Sequence, residues 1–251
     1  MTFIPHHQSP IAKAPKVFVA LDFSSASDTL QFIDRLSPES CGLKIGKELF
    51  TSTGPELVRD LVKRKFRVFL DLKFHDIPNT VARATAAAAD MGVWMINVHA
   101  SGGAGMMQAA SDSLRSFGAD RPFITAVTVL TSFSESDLLA VGVTRTLTAQ
   151  VAALAKLAAE AGMDGVVCSA QEASMLRQQQ GKDFILVTPG IRPNIAVQAE
   201  SIRRDDQVRI VTPIQAIELG SDYLVIGRPI TQADDPVGIL RKINEDISYI
   251  I

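Results

Sequence analysis

Hydrophobic positions in this chain follow two alternating rhythms. Short runs rich in Val, Ile, Leu and Phe recur: "KVFVALDF" (16–23), "CGLKIG" (41–46), "RVFLDLKF" (67–74), "WMINVHA" (94–100), "FITAVTVLT" (123–131), "GVVCSA" (165–170), "FILVTPG" (184–190) and "YLVIGRPI" (223–230). Such runs, bounded by Gly, Pro and polar residues, predict strands. Between them apolar residues return every three or four positions, as in "GPELVRDLVKRK", "NTVARATAAAADMG", "TLTAQVAALAKLAAEAG" and "DDPVGILRKINEDI". That is the helical period, and several of these segments open on Ser, Asp, Pro or Thr and close near Gly. Alternation of strand and helix predicts an α/β fold with parallel strands joined by crossover helices. Eight such units fit a single-domain (β/α)8 TIM barrel over 15–251, the catalytic domain. An open doubly wound sheet is the competing architecture, but no GxGxxG follows the first strand. Residues 1–14, polar and carrying Pro5 and Pro10, predict a loose N-terminal arm. The long gaps after strands five and seven are the expected places for functional loops.

Strand side chains alternate, so parity sorts them. Phe18, Ala20 and Asp22 share one face; Gly42, Lys44 and Gly46 share another; Phe69, Asp71 and Lys73 a third. Val68, Leu70 and Leu72 point the other way, towards helices. In a barrel these three strands are neighbours, so Asp22, Lys44, Asp71 and Lys73 converge at the C-terminal mouth, where barrel enzymes place their chemistry. Buried ion pairs are poor stabilisers because desolvation offsets their attraction. Four alternating charges at strand ends therefore point to function. Two lysines in the cluster oppose a bound metal ion, so neither metal nor cofactor is expected. Lys73, an ammonium at neutral pH, can hold a developing carbanion by charge and then protonate it. The chemistry implied is loss or gain of a proton or CO₂ at a carbon.

The other strand ends suggest a phosphate. "TPGIRP" (188–193) and "VIGRPI" (225–230) follow strands seven and eight, where barrels bind phosphate through glycine N–H groups. Arg192 and Arg228 add cations that fork onto phosphate oxygens. Thr131 and Ser132, ending strand five, offer hydroxyls and amides to a flat polar ring. His75 and His99 are weaker candidates. A lone histidine near a strand end is usually satisfied by packing and one hydrogen bond.

Composition narrows the rest. The 251 residues are 47% hydrophobic and 21% charged with a net charge of −2. That is ordinary for a soluble globular protein. It leaves no basic excess to follow a nucleic-acid backbone, so no nucleic-acid partner is expected. No apolar run approaches the ~18 residues of a membrane span, and the start lacks the apolar core of a signal peptide. Cys41 and Cys168 lie in apolar segments and read as reduced core thiols, which places the protein in the cytoplasm.

These motifs, in order, resemble one family. "ALDF", "LKIGKELF", "DLKFHDIPNTV", "NVHASGG", "VTVLTS", "VTPGIRP", "DDQVRIVTP" and "DYLVIGRPIT" are similar to the orotidine 5′-phosphate decarboxylases of bacterial type, over nearly the whole chain after the arm. The resemblance implies a cofactor-free homodimer that converts orotidine 5′-phosphate to UMP and CO₂ in de novo pyrimidine biosynthesis. It implies that Lys73 protonates pyrimidine C6. Lys44 and Asp71 complete the charged array and touch the ribose, which Asp22 also binds. Asp76 and Thr80 reach into the partner's site, so that sites lie at the subunit interface. Thr131 and Ser132 line the pyrimidine end. Arg192, Gln207, Gly227 and Arg228 bind or close over the phosphate. The segment between Arg192 and Gln207 is longer than the pattern suggests and holds a second glutamine, Gln198. A same-fold rival is a hexulose-phosphate synthase, which shares an Asp-x-Lys-x-x-Asp core but needs a metal ion. A rival of another class is a non-catalytic barrel that binds a nucleotide or a protein. It would require a broken charged array, and here the array is complete.

Overall fold

The computed structural model describes residues 15–193 and 211–250; the N-terminal arm, Gln198 and Gln207 lie outside these residues. The elements run β1 (Val17–Leu21), α1 (Ala26–Ile33), β2 (Gly42–Gly46), α2 (Lys47–Thr53), α3 (Pro55–Lys63), β3 (Val68–Phe74), α4 (Pro78–Ala89), β4 (Met95–His99), α5 (Ala104–Ser113), β5 (Phe123–Val127), α6 (Glu135–Ala140), α7 (Leu147–Glu160), β6 (Gly165–Val167), α8 (Ala170–Gln180), β7 (Ile185–Thr188), α9 (Pro213–Glu218), β8 (Tyr223–Ile226), α10 (Arg228–Thr231) and α11 (Pro236–Ser248). The strands pair in parallel in chain order and β8 closes onto β1, giving the expected (β/α)8 barrel.

Local chemistry sets the helix starts. Reciprocal capping boxes join Ser134 with Asp137, Ser169 with Glu172 and Thr212 with Gln215, satisfying N–H groups that lack a partner within the helix. Proline sits in the first turn of α3, α4, α9 and α11, where its missing N–H costs nothing.

Parity then builds two cores. Val17, Val19, Leu21, Leu43, Ile45, Val68, Leu70, Ile96 and Val98 pack outward beneath the helices. Phe18, Ala20, Phe69, Met95, Phe123, Val127, Ile185, Val187, Tyr223 and Val225 fill the barrel interior, with Trp94 against them. Aromatic rings close its floor. Phe18 stacks on Trp94 with centroids 5.2 Å apart and meets Tyr223 edge-on at 5.7 Å. Cys41 is buried in the outer core, and burial pushes its thiol up to about 12, so it is inert at neutral pH.

Three local readings needed correction. The run "YLVIGRPI" is not strand to its end: β8 stops at Ile226, and Arg228 and Pro229 open the short helix α10. Gly227 leaves the strand conformation at φ −105°, ψ −106°, and Pro229 has no N–H for a ladder. "FITAVTVLT" likewise ends as a strand at Val127. The third concerns β3, which is not regular. Leu70 pairs with Ile96, but Phe74 pairs with Val98, so three residues of β3 oppose one of β4. Within this bulge Lys73 takes a left-handed backbone at φ +52°. Such a conformation costs a non-glycine residue roughly 1–3 kcal/mol and collects at functional sites.

Candidate active site

The barrel mouth holds a cavity of about 320 Å³, towards the lower end for small-molecule sites. One wall comes from the first three strands. Ala20 stands opposite Lys44 and Gly46 opposite Asp71 in the sheet register, which brings their inward side chains side by side. The charges form an alternating chain. Asp22 Oδ1 lies 3.4 Å from Lys44 Nζ, which lies 3.6 Å from Asp71 Oδ2; Asp71 Oδ1 accepts a hydrogen bond from Lys73 Nζ at 2.7 Å. The inner pair is shielded, with the Lys44 and Asp71 side chains 11% and 13% exposed, while Asp22 at 54% faces the opening. Each buried charge is thus flanked by opposite charge, the arrangement that makes its desolvation tolerable.

Two glycines leave room for this array. A Cβ at Gly46 would approach Lys44 Nζ to 3.2 Å, and one at Gly227 would press on Asp22 Oδ2 at 3.0 Å. Gly227 is therefore a spacer between the ends of β8 and β1.

The facing wall carries Thr131 and Ser132 after β5, Gly190 and Arg192 after β7, and Gly227 and Arg228 after β8, over an apolar lining of Val127, Val167 and Val225. A parallel bridge between Ile191 and Val211 fixes the stem at Arg192, whose N–H donates to the Val211 carbonyl. The cavity thus has an apolar base, a charged wall and a rim with two arginines. It suits a flat polar ring at one end and an anion at the other, with an ammonium and a carboxylate side by side between.

Asp22, Lys44, Asp71, Lys73, Thr131, Ser132, Arg192, Gly227 and Arg228 all line this cavity. Asp76 and Thr80 do not. Both are exposed, on the loop after β3 and the first turn of α4, and Asp76 Oδ1 accepts from the Ile77 N–H at 2.6 Å. His75 and His99 stack on each other at 5.5 Å outside the cavity lining, and His99 Nδ1 shares a hydrogen bond with Ser101. Burial, then the charges of His75, Lys47 and Lys73, hold His99 below the ordinary histidine value. Among the described residues no group of three or more His, Cys, Asp or Glu could hold a metal ion. No helix among them is long and apolar enough to cross a membrane.

Sequence reasoning missed Asn97. It is fully buried in β4; its Oδ1 accepts the Lys73 N–H and its Nδ2 donates to Asp71 Oδ1. A signal was present: Asn97 stands at inward parity between Ile96 and Val98, and a buried amide needs partners.

Comparison with known proteins adds an independent line. Residues 15–243 match the model of the "Orotidine 5'-phosphate decarboxylase / HUMPS family". The chain is 56% identical over 233 residues to the orotidine 5′-phosphate decarboxylase of Vibrio campbellii, covering 93% of this chain and 97% of that one. It is 57% identical over 238 residues to that of Pseudoalteromonas translucida, covering 95% and 99%. The crystal structure of orotidine 5′-phosphate decarboxylase from Lactobacillus acidophilus superposes with a TM-score of 0.81 at 38% identity, covering 93% of this chain and 99% of that one.

Proposed function

The chain belongs to the orotidine 5′-phosphate decarboxylase family and removes CO₂ from orotidine 5′-phosphate to give UMP in pyrimidine biosynthesis, and we propose that its alternating charged array carries the reaction, with Lys73 as proton donor. The observation behind this is the pairing of Lys73 Nζ with Asp71 Oδ1 at 2.7 Å in a shielded wall of the cavity.

In this reading the pyrimidine lies towards Thr131 and Ser132, with C6 facing Lys73. The bond from C6 to the carboxylate breaks, CO₂ leaves, and the electron pair stays on C6. A proton passes from Lys73 Nζ to C6, giving UMP, and solvent returns a proton to the amine. Asp71 sits where the substrate carboxylate comes up to Lys73. Negative charge beside Asp71 falls as CO₂ departs, so the array favours the transition state over the ground state. Asp22 and Lys44 hold the ribose. Arg192, Arg228 and the Gly227 N–H hold the phosphate, together with Gln207. No step as written calls for a cofactor. The buried thiols Cys41 and Cys168, which form no disulfide, support a cytoplasmic setting.

We further propose a homodimer in which Asp76 and Thr80 complete the partner's site. Both are exposed and stand apart from the cavity of their own barrel, beside Ile77, whose apolar side chain leaves the residue 66% exposed. A two-fold contact there is isologous, so each subunit gives and receives the same residues.

The direct test of the reaction is loss of orotidine 5′-phosphate followed by absorbance with EDTA present, with CO₂ and UMP appearing one for one. Turnover abolished by the chelator would favour the metal-dependent sugar-phosphate chemistry instead. The shared site is tested by mixing inactive Lys73→Ala and Asp76→Ala chains. About half of randomly mixed dimers contain one chain of each kind and one intact site, so roughly a quarter of wild-type activity should return. No recovery, with subunit exchange shown by mass spectrometry, removes the crossed site.

A further inference from the structure

Asn97 is the one residue that β4 offers to Asp71, Leu72 and Lys73, between the Leu70–Ile96 and Phe74–Val98 pairs. It uses both ends of its amide. Oδ1 accepts the Lys73 N–H at 2.8 Å and Nδ2 donates to Asp71 Oδ1 at 2.7 Å. The orientation of the amide follows from its partners: a backbone N–H needs the oxygen and a carboxylate needs the NH₂. The same Asp71 oxygen also receives Lys73 Nζ at 2.7 Å. One fully buried side chain thus ties together the backbone of the ammonium-bearing residue and the carboxylate next to it.

We infer that Asn97 is a positioning residue for the decarboxylation: it locks the left-handed bulge at Lys73 and the Asp71 carboxylate into one unit, so that Lys73 Nζ is aimed at the reacting carbon. The inference rests on the reading of Lys73 as proton donor. Lysine has a long flexible stem, so its ammonium is placed only as well as its Cα–Cβ direction and its partner are fixed. The backbone at φ +52° sets that direction, and the hydrogen bond to Asn97 Oδ1 is what β4 supplies to hold it. Release of that anchor lets β3 return towards regular pairing and swings the Lys73 side chain. A misplacement of about 1 Å is enough to lose on the order of 100-fold in rate.

Asn97→Asp makes the decisive variant. It keeps the size and the oxygen that meets the Lys73 N–H, but it sets a second carboxyl oxygen against Asp71 Oδ1. Two carboxylates so close share one proton. With that proton in place the new O–H substitutes for the amide donor; without it the two carboxylates repel and the unit opens. The ionisable groups around this point are Asp71 and Lys73 on β3, Lys44 beyond Asp71 on β2, and His99 on β4 with His75 stacked on it. From β5 the residue paired with Asn97 is Thr125, whose hydroxyl does not titrate in this range.

The expected result has three parts. At a pH of about 8, Asn97→Asp lowers kcat by about 100-fold. The ratio of its kcat to that of the wild type then climbs as the pH is lowered towards about 6. Affinity for UMP, measured by calorimetry, stays within about threefold of wild type, because loss of positioning falls on kcat. Asn97→Ala lowers kcat likewise but shows no recovery at lower pH. A pH profile of Asn97→Asp parallel to wild type overturns the inference. So does a UMP affinity that falls as far as kcat/KM, and so does a variant that cannot fold, which would make Asn97 a purely structural residue. Lys73→Ala, assayed alongside, separates the two claims. If it retains turnover, the proton-donor reading fails and takes this inference with it. If it is dead while Asn97→Asp behaves as wild type, only the role of Asn97 is lost.

Discussion

The floor and the mouth of the barrel are built from the same strands at the same parity, yet they obey opposite rules. Along the inward face β1 reads Phe18, Ala20 and then Asp22 just past its end; β3 reads Phe69, Asp71, Lys73; β4 reads Met95, Asn97, His99. The first position of each is apolar and lies in the interior core. Full burial of such a side chain is worth about 1.5–3 kcal/mol, and edge-on aromatic pairs add to that. Two to four positions on, the mouth holds ion pairs whose desolvation cancels much of their attraction, and a lysine in a strained backbone. The difference teaches where stability comes from in this molecule. The floor and the outer core hold the barrel shut, and the mouth spends some of that stability on geometry.

The sharpest way to break this comparison is to cut each end separately. Lys73→Ala should lower turnover by many powers of ten, since each ~1.4 kcal/mol of lost transition-state stabilisation is tenfold in rate. It should leave the thermal midpoint where it was or higher, because Asp71 keeps Asn97 and Lys44 as partners. A large drop in midpoint would mean that the mouth stabilises the fold after all. Arg228→Ala is the next largest effect. It should lower kcat/KM for orotidine 5′-phosphate by about 10- to 100-fold, the worth of a charged hydrogen bond. Residual activity on orotidine, which has no phosphate, should not change; equal losses on both substrates would remove the phosphate role.

How much of the two ends was legible differs in the same way. The floor and outer core were readable because alternation is local: Val68, Leu70 and Leu72 against Phe69 and Asp71 need only a period of two. The convergence of Asp22, Lys44, Asp71 and Lys73 followed once the first three strands were taken as neighbours. The bulge in β3 was not readable. It depends on how β3 registers against β4, and no pattern within "RVFLDLKF" carries that. For Asn97 the inward parity was readable but the partners were not, since its importance comes from facing three residues of another strand. The start of α10 was missed because apolar residues continue through "GRPI", although Gly and Pro there mark a break. Asp76 and Thr80 are exposed and do not line the cavity of their own barrel, so one chain's pattern of burial gives them no role, and the crossed site proposed above rests on the resemblance and on their exposure.

At the floor the expected outcome is reversed. Phe18 is 1% exposed and touches Phe69, Trp94 and Tyr223. Phe18→Ala should cost about 3–5 kcal/mol of stability by leaving a cavity among these rings. Denaturant unfolding reads this as a lower midpoint. Well below the transition, kcat and UMP affinity of the folded protein should match wild type. A fall in kcat comparable to the fall in stability would show that the mouth takes its geometry from the floor, and the two regions could no longer be treated as separable.

The smallest effect separates the two ends by sign alone. Lys73→Gly and Lys73→Ala both remove the ammonium, so the difference between them isolates the backbone at φ +52°. Left-handed geometry penalises alanine by roughly 1–2 kcal/mol, whereas glycine accepts it freely. Glycine gives back roughly 0.5–1 kcal/mol through the greater freedom of its unfolded chain. The balance predicts that Lys73→Gly is more stable than Lys73→Ala by about 0.5–1 kcal/mol, seen as a higher urea midpoint at unchanged slope. Ala20 offers the control, because it lies in regular strand on β1. There Ala20→Gly should be destabilising by about 0.5–1 kcal/mol, since the extended backbone gives glycine no advantage. If glycine is worse than alanine at both positions, position 73 stores no strain once its ammonium is gone. The bulge would then be held by the ion pair with Asp71 rather than by the Asn97 anchor.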